Sequence, residues 1–261
     1  VRGRGTGLQH RRVTEERRIP VFGFDYLHGS EGGESSEAIK ILVAKCHMTK
    51  CVFAHVVPQK GVDPENYAVE RLKRDVLWLG HTKVILKTDN EHAILAVLRN
   101  TLRVLKVEQL ESTQESHPAA YDPASNGSTE ITCRIIGGML STLRACLEER
   151  LKQRIPVTHC AFSWLVEHAA WLHTIKMKQS DGITAYQRLK GMSFGTKLLA
   201  FGEACLHKLP AKSQERSLEG KLGSKWQNGI FLGFSRGSNE YVIWSVEQQS
   251  VVRARSVQRK P

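Results

Sequence analysis

Residues 63–89 read DPENYAVERLKRDVLWLGHTKVILKTD, and the period of their pattern changes once. Asp63-Pro64 has the form of a helix start, an N-cap followed by proline at the first helical position. Ala68, Leu72, Val76 and Leu79 recur at helical spacing, and Gly80 is the expected stop. Residues 82–88 are then a β-branched, apolar run with the texture of a strand. Upstream, residues 21–27, 39–46 and 51–57 read as three strands, the last two joined by a short turn at 48–50. Three strands, a helix and a further strand predict an antiparallel meander followed by a crossover with a parallel pair. The expected fold class is therefore α/β, with a mixed sheet.

Beyond this unit, residues 91–105 read as a second helix, 107–110 as a short strand and 111–126 as a polar loop. A long helix is expected over 128–152, with Ile136, Leu140, Leu143, Leu147 and Leu151 as its buried stripe. Residues 161–176 form another apolar helix. After Gln179 the texture changes to short strand-like pieces at 198–207, 229–234, 240–245 and 251–256, a small all-β unit with barrel-like patterning. The expected organisation is a basic tail (1–18), a core (19–178), a linker with a short helix (179–197), the β unit (198–257) and a tail (258–261). Trp78, Trp164 and Trp171 fall on apolar helix faces and are expected in the core.

The chain has 261 residues, 41% hydrophobic and 25% charged, the composition of a globular protein with enough length for a sizeable core. No apolar run is long enough to span a bilayer, which predicts no membrane partner. The chain does not begin with Met, and is expected to be a segment of a longer polypeptide. Six scattered cysteines predict reduced thiols, and the spacing of Cys46, His47, Cys51 and His55 fits no common zinc pattern. The formal net charge is +12. Residues 1–20 carry 6 basic and 2 acidic residues, residues 179–261 carry 13 and 6, and the middle is close to neutral. Basic flanks on a neutral core suit a polyanionic partner, and equally a solvated surface. No Gly-x-Ser-x-Gly elbow or Cys–His signature supports nucleophilic catalysis.

Three carboxylates stand out by position. Asp25 lies in the first strand, Asp89 directly after the strand at 82–88, and Glu130 in the first turn of the long helix. On a helical wheel Glu130 lies about 100° from the centre of the buried stripe, at the border of core and solvent. Carboxylates at strand ends and helix starts can converge at one sheet edge, and three of them suit hard divalent cations. Two such ions can activate an attacking oxygen and stabilise a leaving one. Each position also has a bland reading, as a turn or cap residue or as a helix-dipole partner.

At these residues the chain resembles the catalytic core of retroviral-type integrases, in the copia-like retrotransposon branch. The matching pieces are Val21-Phe22-Gly23-Phe24-Asp25-Tyr26, Leu86-Lys87-Thr88-Asp89-Asn90, and Tyr121-Asp122-Pro123-Ala124-Ser125-Asn126-Gly127-Ser128-Thr129-Glu130. Leu199-Ala200-Phe201-Gly202-Glu203-Ala204, Gly229-Ile230-Phe231-Leu232-Gly233-Phe234-Ser235 and Tyr241-Val242-Ile243-Trp244 resemble the SH3-like domain that follows that core. The resemblance implies an RNase H-like mixed five-stranded sheet with flanking helices, plus a small SH3-like barrel. It implies a two-metal polynucleotidyl transferase using two Mg2+ or Mn2+ ions. Asp25 would ligate both ions, and Asp89 and Glu130 one each. Double-stranded DNA would be the partner, as element ends and as target, with Lys87, Asn90, Asn126 and Arg134 as DNA contacts. Homo-oligomerisation and a nuclear location follow by the same implication. The chain departs from the family at Glu91, commonly Gly, at Ile131, commonly Arg, and in the 40 residues between Asp89 and Glu130, a longer spacer than usual. Two other readings stay open: a catalytically inactive DNA-binding relic of the same fold, and another RNase H-like nuclease acting on RNA in hybrids.

Overall fold

Phe22, Phe24 and Tyr26 alternate along the first strand with Gly23, Asp25 and Leu27, and the two sets serve different cores. In the computed structural model, which describes residues 19–29, 39–107, 112–116, 127–210 and 224–260, this strand is β1 (Val21–Gly29). It pairs antiparallel with β2 (Ile39–Cys46), which pairs antiparallel with β3 (Val52–Val57). Helix α1 (Tyr67–Leu79) crosses to β4 (Lys83–Lys87), parallel to β1. Helix α2 (His92–Val107) leads on to β5 (Ser112–Ser116), parallel to β4. The order is β3-β2-β1-β4-β5, a mixed five-stranded sheet.

Both faces are covered. Leu42, Ala44 and Phe53 join Phe22 and Phe24 against α1 and α2, through Leu72, Val76, Ile94 and Leu98. Ile41, Val43, Val52 and Ala54 face the other way, against Ile136 and Leu140 of α3 (Gly127–Leu151) and Val166 and Ala169 of α4 (Ala161–Lys176). A sheet buried on both sides needs near-continuous apolar strands, which is why 41–44 and 51–54 show no polar alternation.

Helix α4 is apolar around most of its circumference because it is covered twice. One side packs on β3. Trp171 and Ile175 belong to a third core with Tyr186 of α5 (Ala185–Lys190) and with Phe231, Phe234 and Ile243. These last belong to a further five-stranded antiparallel sheet of β6 (Ala204–Lys208), β7 (Trp226–Phe234), β8 (Tyr241–Ser245), β9 (Ser250–Ala254) and β10 (Val257–Arg259), in the order β10-β6-β7-β8-β9. No helix among the described residues is long and apolar enough to cross a membrane.

Three local expectations are corrected. Helix α1 opens at Tyr67 instead of at Pro64, because Asp63 Oδ1 accepts the N–H groups of Glu65 and Tyr67 and folds 63–66 into a turn ahead of the helix. The strand expected at 107–110 is displaced. Val107 ends α2, residues 108–111 lie outside the described residues, and the strand is Ser112–Ser116, within the stretch read as a loop. It pairs with β4 alone, and a polar edge strand carries no hydrophobic period to read. Leu151, expected in the stripe of α3, is 52% exposed at the end of the helix.

A charged cluster ties α1, β3, α4 and the turn between β7 and β8 together. His55 Nε2 lies 2.8 Å from Asp75 Oδ2, and its Nδ1 lies 3.3 Å from Glu167 Oε1, which also faces Arg71. From the β7–β8 turn, the Arg236 guanidinium sits over Phe53 at 4.4 Å and Trp171 at 5.2 Å and donates to the Val52 carbonyl. Trp78 Nε1 donates to the Arg236 carbonyl at 2.8 Å. Burial opposes a charge on His55, but the charges and hydrogen bonds of Asp75, and then Glu167, outweigh it and raise its pKa to about 9. Burial pushes His168 and His173 the other way, down to about 4.

Stability should therefore fall on both sides of neutrality. The His55 contribution is complete below its ordinary value of 6.5 and is lost as pH rises through about 9. His168 and His173 are neutral when folded, so unfolding takes up protons and stability falls as pH drops from 6.5 toward 4. Thermal melts across pH should show both arms. His55→Gln should lower stability by about 3 kcal/mol at neutral pH and flatten the alkaline arm alone.

Candidate active site

The path of the backbone sets the site. Gly23 lies on the α3 face of β1, and α3 comes down onto it. A Cβ at Gly23 would stand 2.6 Å from Thr129 Oγ1. An isolated glycine inside an apolar strand is the sequence signal for such an approach. Thr129 is fully buried at this contact, and Glu130 beside it is exposed. Asp25 follows Gly23 by two residues and so lies on the same face of the strand. The parallel register pairs Gly23 with Lys87, and two residues further along each strand come Asp25 and Asp89. Thr88 Oγ1 donates to the Phe24 carbonyl at 3.0 Å and fastens the end of β4 to β1. The site thus forms at the C-terminal end of β4, beside the central strand, where open α/β sheets place their ligand sites.

The electrostatics follow from this placement. Asp25 is half-buried, and Tyr26 N–H donates to its Oδ1 at 2.7 Å. Burial raises the Asp25 pKa. The Tyr26 N–H opposes the rise, and the carboxylates of Asp89, Glu130 and Glu91 add to it. Asp25 and Glu130 also bear on Cys133, one turn along α3 from Glu130. Burial first, then Asp25 and Glu130, push its thiol up to about 12. Asp89 is exposed, with its Oδ1 accepting Asn90 N–H at 2.7 Å.

The three sequence-derived carboxylates therefore belong to one electrostatic neighbourhood centred on Asp25. Their donor set, carboxylate oxygen throughout, fits hard divalent cations, and a cation would relieve the repulsion at Asp25. Among the described residues, however, no three His, Cys, Asp or Glu side chains are gathered tightly enough to hold an ion as they stand. Loading would have to draw the exposed Asp89 and Glu130 side chains inward.

Of the residues expected at DNA, Lys87 ends β4 half-buried, Asn90 is exposed at the turn into α2, and Arg134 is exposed one turn after Glu130. Asn126 lies outside the described residues. Sequence reasoning noted Glu91 only as a departure from the family. Its carboxylate bears on both Asp25 and Tyr26, and Lys60 pairs with it at 2.8 and 3.0 Å. The loop carrying Lys60 is tied to β1 by Gly61 N–H, which donates to Tyr26 Oη at 2.9 Å.

The Gly23–Thr129 contact generates a direct test. Gly23→Ala should cost about 1–3 kcal/mol in denaturant unfolding, because the new methyl group forces α3 off the strand. Adding Thr129→Ala removes the closer of the two atoms in the way, the other being His47 Nε2 at 3.0 Å, and the double variant should recover part of the loss.

No family model matches the chain, and no curated protein matches it. Among solved structures it is similar to the HTLV-2 integrase catalytic core domain in complex with magnesium, in its trimeric form, at 15% identity and a TM-score of 0.46, covering 65% of this chain and 95% of that one. The dimeric form of the same domain gives 15% identity and 0.46, covering 65% and 94%. A simian T-cell lymphotropic virus intasome in complex with the PP2A regulatory subunit B56 gamma gives 12% identity and 0.42, covering 92% of this chain and 81% of that one.

Proposed function

We propose that this chain is an integrase-type polynucleotidyl transferase that trims DNA 3′ ends and joins them to target DNA. The observation that supports the reading is that the charges of Asp89 and Glu130 bear on Asp25, half-buried on the central strand. Three separate elements, β1, the end of β4 and the start of α3, carry the three carboxylates. In this reading Asp25, Asp89 and Glu130 would hold two Mg2+ or Mn2+ ions, with Asp25 shared between them. Such a pair, when bound, supplies the positive charge that activates an attacking oxygen and stabilises a leaving one. Asp25, fixed on a central strand by Tyr26 N–H, sets the position of the site. Asp89 and Glu130, on the exposed rim, would close onto it. Lys87, Asn90 and Arg134 stand around the carboxylates as contacts for the DNA backbone.

The C-terminal sheet supports a polyanionic partner, with Arg253, Arg255, Arg259 and Lys260 all exposed. The same reading takes this sheet as the SH3-like companion of the core and the chain as a piece of a copia-type retrotransposon polyprotein. It also takes the working form as a multimer in the nucleus, because two DNA ends must meet one target.

A second reading, a DNA-binding relic without chemistry, is favoured by one observation. The carboxylates stand apart, and the neighbouring Glu91 is engaged with Lys60. A strand-transfer assay with matched DNA ends separates the two. The expected result is a Mn2+- or Mg2+-dependent product that Asp89→Asn lowers at least about a hundredfold, with duplex binding retained. A folded wild type that binds DNA but gives no metal-dependent product leaves the relic reading. Cleavage of RNA in hybrids in preference to DNA joining would mark a different RNase H-like nuclease.

A further inference from the structure

We propose that Lys45 binds a backbone phosphate of the nucleic acid next to the three carboxylates, as a positioning residue of the site just described; the inference rests on that reading. Lys45 lies on β2, directly opposite Gly23 of β1 and Val52 of β3. Residues opposite one another in neighbouring strands share a face, so Lys45 stands on the α3 side of the sheet. Its ammonium donates to Ser128 Oγ at 3.3 Å, in the first turn of α3 and two residues before Glu130. Gly23, opposite it, comes two residues before Asp25. The ammonium thus joins β2, the strand paired with the one that carries Asp25, to the helix that carries Glu130.

Lys45 is half-buried, and among the described residues no carboxylate lies within ion-pair distance of it. Its one hydrogen-bond acceptor is a neutral hydroxyl at the long end of the range. The charges that bear on it are of its own sign. Burial and then Lys50 lower its pKa, and Lys45 in turn helps to depress His173. Such an ammonium works against folding. Ile41 and Val43, on the same strand and the same face, show what this position takes when packing alone decides.

What this geometry lacks is an anion. The free N–H groups at the start of the long helix α3 favour the same sign of ligand. A phosphodiester is the anion that the neighbouring carboxylates would bring. Lys45 contacts Ser128, two residues from Glu130, so its phosphate is a neighbour of the reacting one. Lys45 grips the strand and leaves the chemistry to others.

The test compares wild type, Lys45→Met and Lys45→Arg in two measurements. One is duplex DNA binding from about 0.05 to 0.3 M salt without metal, and the other is thermal stability. Methionine keeps the volume and removes the charge. The expected result is that Lys45→Met melts at the same temperature or higher. It should bind DNA about tenfold more weakly near 0.1 M salt and lose about one from the log–log salt slope. Lys45→Arg should keep the slope. An unchanged slope in Lys45→Met overturns the inference and leaves the proposed function standing. So does a joint loss of stability and binding that Lys45→Arg fails to rescue, since that is a structural role. A wild type without salt-dependent DNA binding overturns both.

Discussion

A carboxylate on the central strand of a sheet covered on both faces is expensive, and the fold is arranged around that expense. Asp25 has α3 over its own face and the α1/α2 core beneath the strand. Among the described residues, its one compensating hydrogen bond comes from the Tyr26 N–H. The charged groups that bear on it, Asp89, Glu130 and Glu91, add to the cost. Folding alone gives no reason to bring like charges to a desolvated acid. The register of β1 with β4, the Thr88 bond to Phe24 and the seat of Thr129 on Gly23 all act to bring them there. A fold that spends stability at one place in this way is the usual physical mark of a functional site.

The second sheet is held by a different kind of contact. Helix α4 supplies an apolar surface to both sheets, and Arg236 reaches back from the β7–β8 turn between Phe53 and Trp171. The cations and anions there, Arg71, His55 and Arg236 against Asp75 and Glu167, are mostly withdrawn from water. Their worth depends on all partners being present. Their position fixes which face of the second sheet meets α4, and hence where its arginines stand relative to the core.

Much of the fold was legible because it rests on periodicity. The meander of β1, β2 and β3, the crossover through α1 and the long helices all left clean apolar patterns. Strand β5 did not, because an edge strand of Ser, Thr, Gln and Glu carries no such pattern. The start of α1 was misplaced because Asp63 serves a turn one step ahead of the helix, and a proline-led start looks the same in sequence. In the candidate site, the positions of Asp25 within a strand, Asp89 after a strand and Glu130 at a helix start were legible, their role as a metal site being the proposal. Thr129 was not, because its importance lies in what Gly23 lacks. Glu91 and Lys45 were not, because a charged residue in a loop or on a strand has many bland explanations. Only the surroundings of each distinguish it.

The proposal that Asp25, Asp89 and Glu130 share a metal site is tested most directly by calorimetric titration of Mn2+ into wild type, Asp25→Asn, Asp89→Asn and Glu130→Gln, alone and with a DNA end. The expected result is binding in the wild type that each substitution weakens at least about tenfold, with all four proteins folded. A folded wild type that takes up no Mn2+ even with DNA present, or three variants that bind it as tightly as the wild type, would contradict a shared metal-binding role for Asp25, Asp89 and Glu130.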